Sequence, residues 1–449
     1  MQLVFRRTLP LCLSLGLAIQ FLHCQSALSQ TATAPTAESI PTALFEYVQK
    51  PDEEYAWKLN GEMPLPGGKT YEIALTSQKW HGIVWQHVLQ VYEPEQITFP
   101  NKMLLMVTGG SIGGKPDRGD LARGLALAKL CGARVATIHQ VPNQPLFGGR
   151  KEDDLITDTW LKYLESGDET WPLLFPMVKS AVRAMDALQE FAKEKWESPV
   201  EGFVITGASK RGWTSWLTPV ADSRVIATAP IVIDVLNFRK QMKHQLDTWG
   251  EYSEQIYDYT SKGLIVEGEE SEREMKLRQM MDPYTYREQL TLPKLIVNGT
   301  NDPYWVVDAM KWYWDDLRGP KYILQVPNAG HGLDGGVEHA LSTVAAYFRH
   351  IASNTQLPEL SWQHSDNDSA FTLTVSASQT PREAKLWVAM SDDKDFRDEK
   401  WSAQPMQANA STFSASIPQP VGRHVARYAE LTYEIDGVAY SLCTLIFRD

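Results

Sequence analysis

Cysteine is scarce in this chain of 449 residues. Of the four, Cys12 and Cys24 fall in an N-terminal stretch of the kind removed on export, leaving Cys131 and Cys443. Two thiols exclude a disulfide framework and a cysteine-rich metal centre, and at most one bridge can form. Each thiol also reads as a small buried hydrophobe, one closing an apolar helical stretch and one in a terminal strand. Zinc-ligand spacing, a phosphate-cradling glycine loop, internal repeats and low-complexity tracts are missing, so no metal or cofactor is expected. The acidic run Asp392–Asp398 lacks the glycine and terminal glutamate of a calcium loop and reads as a solvated hairpin tip. Apolar runs long enough to span a bilayer are missing. Excess positive charge is missing as well. Without Arg6 and Arg7, 41 cationic side chains face 55 acids. That balance gives no default attraction to nucleic acid or anionic membrane.

At 43% hydrophobic and 22% charged residues, the chain has material for more than one globular core. Its N-terminus has the layout of a secretory signal: Arg6 and Arg7, the apolar run Leu9–Leu22, then small residues around Ala27 and Ser29. Cleavage is expected after Ser29. The protein is then periplasmic or secreted, with no stable membrane insertion once the signal is removed. Residues 30–40 are small and polar, a flexible leader.

Tyr71–Gln78 and Ile83–Tyr92 have strand composition around a short turn and predict an antiparallel hairpin. Lys102–Thr108 is apolar without alternation, as in a strand covered on both faces. A helix over Leu121–Leu130 and a strand over Ala133–His139 complete a β-α-β unit. Pro176–Lys195 repeats Val178, Ala181, Val182, Met185, Leu188 and Ala192 at helical spacing, with proline in the first turn. Strands follow at Val204–Thr206 and Val225–Asp234. Alternating strands and helices predict a mainly parallel sheet with right-handed crossovers. The stretch from about 237 to 292 exceeds any crossover and reads as a helical cap. Beyond Leu357-Pro358 alternating strands dominate. The expected organisation is an α/β-hydrolase-type domain over 41–356 and an immunoglobulin-like β-sandwich over 357–449.

The chemistry concentrates at strand ends. Gly207-Ala-Ser-Lys-Arg-Gly212 breaks an apolar strand just before a helix, the setting of a nucleophile elbow presenting Ser209. It departs from Gly-x-Ser-x-Gly by one place, with Arg211 where the second glycine belongs. Downstream, Leu295–Asp302 is a strand ending in a carboxylate, and Tyr322–His331 is a strand ending in a glycine-flanked histidine. Serine, acid, histidine is the chain order of the α/β-hydrolases. A serine hydroxyl needs a base to attack a carbonyl. His331 is the candidate base, because imidazole titrates near ~6.5. Asp302 is the candidate acid that orients it, with Asp234, which ends an earlier apolar strand, as the alternative. The backbone N–H groups of Lys210 and of the Gly109-Gly110 turn are the candidate oxyanion donors. His339 is the nearest rival histidine, but its helical phase suggests a buried position. The Lys210 and Arg211 side chains read as exposed cations beside a turn, or as ligands for an anionic substrate group. Trp213, Trp216 and Trp305 read as core, or as an aromatic substrate surface.

Together Gly207–Trp213, Ala229–Asn237, Asp282-Pro-Tyr, Asn298–Trp305 and Pro327–His331 resemble the PhoPQ-activated pathogenicity-related proteins, from about Phe45 into the β-rich tail. The Ser-Lys-Arg-Gly elbow is the most specific part of the likeness. The resemblance implies an exported α/β-hydrolase-like protein without a defined reaction. Two functions fit. One is a serine hydrolase cleaving an ester or peptide bond in a small-molecule or peptide substrate, with likenesses to glucuronoyl-type esterases and to prolyl-type peptidases. The other is a secreted binding, virulence or signalling protein that keeps the scaffold without turnover.

Overall fold

The computed structural model describes residues 40–265 and 267–449. The signal read over residues 1–29, and the leader except for Ile40, lie outside the described residues.

The first strands are β1 (Ala56–Leu65), β2 (Gly68–Trp80), β3 (Ile83–Pro94), β4 (Lys102–Val107) and β5 (Arg134–Ile138). They are followed by β6 (Gly202–Ala208), β7 (Val225–Ile231), β8 (Lys294–Gly299) and β9 (Lys321–Val326). All nine form one sheet in the order β1-β2-β3-β5-β4-β6-β7-β8-β9. Strands β4 to β9 pair in parallel, and β1 to β3 join them antiparallel along one edge. The apolar runs explain the parallel part, since β5 and β8 are buried along their whole length. The hairpin between β2 and β3 closes through His81-Gly82, both at positive φ, with Trp80 opposite Ile83. That is the two-residue turn whose twist matches the strands. Strand β1 was not anticipated: it is half-exposed or exposed throughout and carries Gly61 and Pro64.

Helix α1 (Ala43–Gln49) precedes the sheet, and α2 (Arg118–Cys131) crosses from β4 to β5. Between β5 and β6 run α3 (Glu152–Ser166), also unanticipated, and α4 (Leu174–Lys195). The expected face of α4 is buried, and Pro176 lies in its first turn, where its missing N–H leaves no intrahelical bond broken. Helix α5 (Lys210–Ala221) leads from β6 to β7. The insertion before β8 holds α6 (Phe238–Trp249), α7 (Tyr257–Thr260) and α8 (Glu272–Met281), the helical cap. Helix α9 (Val337–Ser353) follows β9.

The C-terminal strands are β10 (Leu360–Asn367), β11 (Ala370–Ala377), β12 (Glu383–Ser391), β13 (Ser402–Pro405) and β14 (Gln407–Asn409). Then come β15 (Thr412–Pro418), β16 (His424–Ile435), β17 (Val438–Cys443) and β18 (Phe447–Arg448). They make two antiparallel sheets, β10-β11-β15-β14 and β13-β12-β16-β17, with β18 on β16. The alternation read from the sequence turns Phe371, Leu373 and Val375 inward from β11, and Leu386 and Val388 from β12. The buried Arg427 of β16 lies over the Phe371 ring of β11 at 4.6 Å, so the sheets face each other.

These sheets are tied to the hydrolase region at several points. Gln325 N–H on β9 donates to Cys443 Sγ at 3.4 Å. Arg349 of α9 pairs with Asp436 at 2.9 Å. The Asn301 amide donates to the carbonyls of Phe396, Arg397 and Glu399. The acidic run Asp392–Asp398 is therefore not simply a solvated tip: it belongs to the β12–β13 connection, buries Phe396 and docks on the turn that carries Asp302. Cys131 and Cys443 are both buried and unbridged. Residues 40–449 form one compact unit.

Candidate active site

Strand β6 runs apolar to Ala208, and the chain then reverses at Ser209, whose backbone is at φ +57° and ψ −125° before α5 begins at Lys210. A non-glycine residue there is strained, and the packing around the turn holds it. A Cβ on Gly207 would lie 2.7 Å from the Arg211 carbonyl oxygen, and one on Gly212 would lie 2.8 Å from the Gly207 carbonyl oxygen. The close approach that requires a small residue thus falls on Gly212 and not on position 211. This is why the elbow tolerates arginine where the usual motif has glycine.

Three strand ends converge here. His331 Nε2 lies 2.9 Å from Ser209 Oγ, and His331 Nδ1 lies 2.8 Å from Asp302 Oδ2. A carboxylate at Nδ1 takes the Nδ1–H, which leaves the Nε2 lone pair for the serine hydroxyl. Asp302 is buried, and its other oxygen accepts from Tyr304 N–H at 2.9 Å. The Tyr304 ring covers the imidazole with centroids 4.2 Å apart. Asp234 does not join this chain. It is buried just past β7, which stops at Ile231 and not at Asp234 as the apolar run suggested, and it accepts from the Tyr313 hydroxyl. Burial raises its carboxyl pKa to about 7; the Tyr313 bond opposes that shift, and the Asp302 and Asp308 charges reinforce it. His339 is half-exposed on α9, 3.7 Å from Glu430 and not in the buried position its phase suggested.

The Lys210 N–H lies in the first turn of α5, where helix geometry supplies no partner. Gly109 borders a cavity shared with Ser209 and His331, and Gly110 follows at φ +115°, a conformation only glycine adopts freely. The Lys210 and Arg211 side chains are not exposed cations. Lys210 Nζ is 2.6 Å from Asp153, and Arg211 forms a two-pronged pair with Glu152 at 2.7 and 2.8 Å. Neither is left free for an anionic substrate. Glu152 and Asp153 begin α3, and no signal in the sequence ties them to an elbow more than fifty residues away.

Two cavities meet at Ser209 and His331. One, of about 670 Å³, lies under the cap and is walled by Trp160, Trp213, Phe238, Tyr259, Tyr304 and Trp305. The other, of about 520 Å³, approaches from the side of α2 and α9 and includes Gly109, Met106, Leu127, Leu333 and Leu341. Of the tryptophans near the motifs, Trp213 and Trp305 reach the cap cavity, and Trp216 is core. Among the described residues there is no cluster of three or more His, Cys, Asp or Glu side chains suited to a metal ion. Among the same residues no helix is long and apolar enough to cross a membrane.

Autocrine proliferation repressor protein A of Dictyostelium discoideum is 32% identical over 381 residues, covering 81% of this chain and 76% of that protein. Among solved structures, acetyl xylan esterase from Paenibacillus sp. R4 superposes with a TM-score of 0.49 and 16% identity, over 70% of this chain and 92% of its own. Acetyl xylan esterase 1 from Thermoanaerobacterium sp. JW/SL YS485 does so with a TM-score of 0.49 and 14% identity, over 72% of this chain and 95% of its own. Residues 44–397, which include the elbow, the Asp302 turn and His331, match the family described as PhoPQ-activated pathogenicity-related protein. The chain belongs to the PhoPQ-activated pathogenicity-related protein family.

Proposed function

We propose that the protein is an exported serine hydrolase that cleaves an ester or peptide bond. The observation that carries the reading is the hydrogen-bonded series Ser209–His331–Asp302 where two cavities meet. In this reading the Ser209 hydroxyl attacks the substrate carbonyl as its proton passes to His331 Nε2. Asp302 keeps the imidazole in the required tautomer and offsets the charge it gains. The carbonyl oxygen, now anionic, accepts from the N–H groups of Lys210 and of the Gly109-Gly110 turn. The proton on His331 then goes to the leaving group, and water repeats the sequence to release the acyl group. With a cavity on either side of Ser209, both halves of the scissile compound have a place to lie.

A second reading has one observation in its favour. The Dictyostelium relative is named as an autocrine proliferation repressor, which suits a secreted signalling protein that does not turn over substrate. Purified wild type and Ser209→Ala should be profiled on paired ester and peptide libraries. Hydrolysis by the wild type alone supports the enzyme, and the preferred library assigns the bond. No turnover in either favours the signalling reading. Sequencing the N-terminus of the exported protein tests export; a start at Gln30 is expected.

A further inference from the structure

The side chains of Lys210 and Arg211 are the part of the elbow that the reaction above leaves unused. Arg211 extends from the first turn of α5 to the Gly109 turn. Its guanidinium occupies the space a side chain at Gly109 would fill, since a Cβ built there would be 2.5 Å from Nη2 and 2.7 Å from Cζ. Arg211 Nε donates to the Val141 carbonyl at 2.5 Å, and the two terminal nitrogens donate to the Glu152 carboxylate. Val141 N–H in turn donates to the Thr108 carbonyl at 3.0 Å, and Gln140 N–H to the Gly109 carbonyl at 2.8 Å. Glu152 is held from the other side. Its N–H donates to Gln144 Oε1 at 2.9 Å, and its Oε1 accepts from Gln144 Nε2 at 2.6 Å. Its backbone is left-handed, at φ +51°, a strained state that this fastening maintains. Burial pushes the Glu152 carboxyl pKa up, but the Arg211 bonds and charge, the Gln144 bond and Lys210 outweigh that, and it stands at about 2.

We infer that Arg211, clamped by Glu152, is a positioning residue that sets the Gly109 turn against the Ser209 elbow and so fixes the spacing of the two oxyanion donors. The inference rests on the hydrolase reading. It gives Arg211 a role on the protein side of the site, and it accounts for an arginine fork where lysine would not serve: a planar guanidinium fits flat against a glycine and reaches two acceptors at once. The donors act only if they point at the oxyanion as it forms, so the brace affects the transition state and leaves ground-state binding alone.

The test uses the whole chain with Arg211→Lys, and Glu152→Gln as the gentler variant should Arg211→Lys fail to fold. Turnover of p-nitrophenyl butyrate is compared with the affinity for trifluoroacetophenone. With that ketone Ser209 Oγ adds to the carbonyl carbon, the serine proton moves to His331, and the carbonyl oxygen takes the electron pair as an oxyanion. Losing one oxyanion donor costs about 10²–10³ in kcat. Arg211→Lys should therefore lower kcat about 10²-fold and weaken the ketone adduct by the same factor, with KM within about 2-fold of wild type. Glu152→Gln should show the same parallel loss at a smaller size. A folded variant with unchanged kcat and adduct affinity overturns the brace, as does a loss confined to KM. If the wild type forms no adduct, the hydrolase reading fails and the brace falls with it.

Discussion

At the residue scale the sharpest question is which aspartate serves His331. Asp302 reaches Nδ1 and Asp234 reaches Tyr313, so the two carboxyls have different tasks. Asp302→Asn should lower kcat by about 10⁴, as for a histidine held in the wrong tautomer, with folding intact. Asp234→Asn should lower it far less; the reverse ranking, measured on the same ester, would give the role to Asp234. Stability separates them as well. The folded pKa of Asp234 is about 7, above the ~3.9 of an unfolded chain, so the folded protein holds this proton more tightly. Its favourable contribution is complete below about pH 4 and is lost as pH rises through about 7. Asp234→Asn should therefore raise the Tm relative to wild type by a few degrees more at pH 8 than at pH 5. Equal shifts at both pH values would show that this carboxyl is already charged in the folded state.

At the scale of elements, the elbow depends on Gly212, where an added methyl would sit 2.7 Å from the Ile233 side chain and 2.8 Å from the Gly207 carbonyl oxygen. Gly212→Ala should cost about 1–3 kcal/mol in a thermal or denaturant melt, as overpacking does. An unchanged melt would mean that α5 can shift away from β6. The same elements show what a single sequence reveals. Strands β4, β6, β8 and β9 were legible because a strand covered on both faces has to be apolar throughout, and the elbow and the His331 turn were legible because their glycines interrupt such runs. Strand β1 escaped because an exposed edge strand needs no apolar face. Helix α3 escaped under its acidic start, although Leu155, Ile156, Thr159, Trp160 and Tyr163 bury one side of it. Its most consequential contacts, Glu152 with Arg211 and Asp153 with Lys210, are tertiary pairings that neither periodicity nor turn chemistry encodes. The sequence leaves the Lys210 and Arg211 side chains looking exposed for the same reason: their partners are remote in the chain.

At the scale of the whole molecule, the composition change at Leu357-Pro358 suggests a boundary, yet the bonds across it converge on the loops that carry Asp302 and His331. Asn301, next to Asp302, is held by carbonyls at Phe396, Arg397 and Glu399, and Asn328, near His331, exchanges bonds with the Trp401 backbone. We expect the full chain to melt in one cooperative step and a chain ending at residue 356 to be insoluble or to lack a cooperative transition. A soluble, cooperatively melting truncation would show instead that the two regions fold independently. The central claim, that Ser209 is an activated nucleophile, is tested most directly by treating the folded protein with a fluorophosphonate probe and locating the adduct by mass spectrometry. The account predicts stoichiometric labelling at Ser209, abolished by Ser209→Ala and strongly slowed by His331→Ala. A folded wild type that stays unlabelled while a control hydrolase reacts would contradict it.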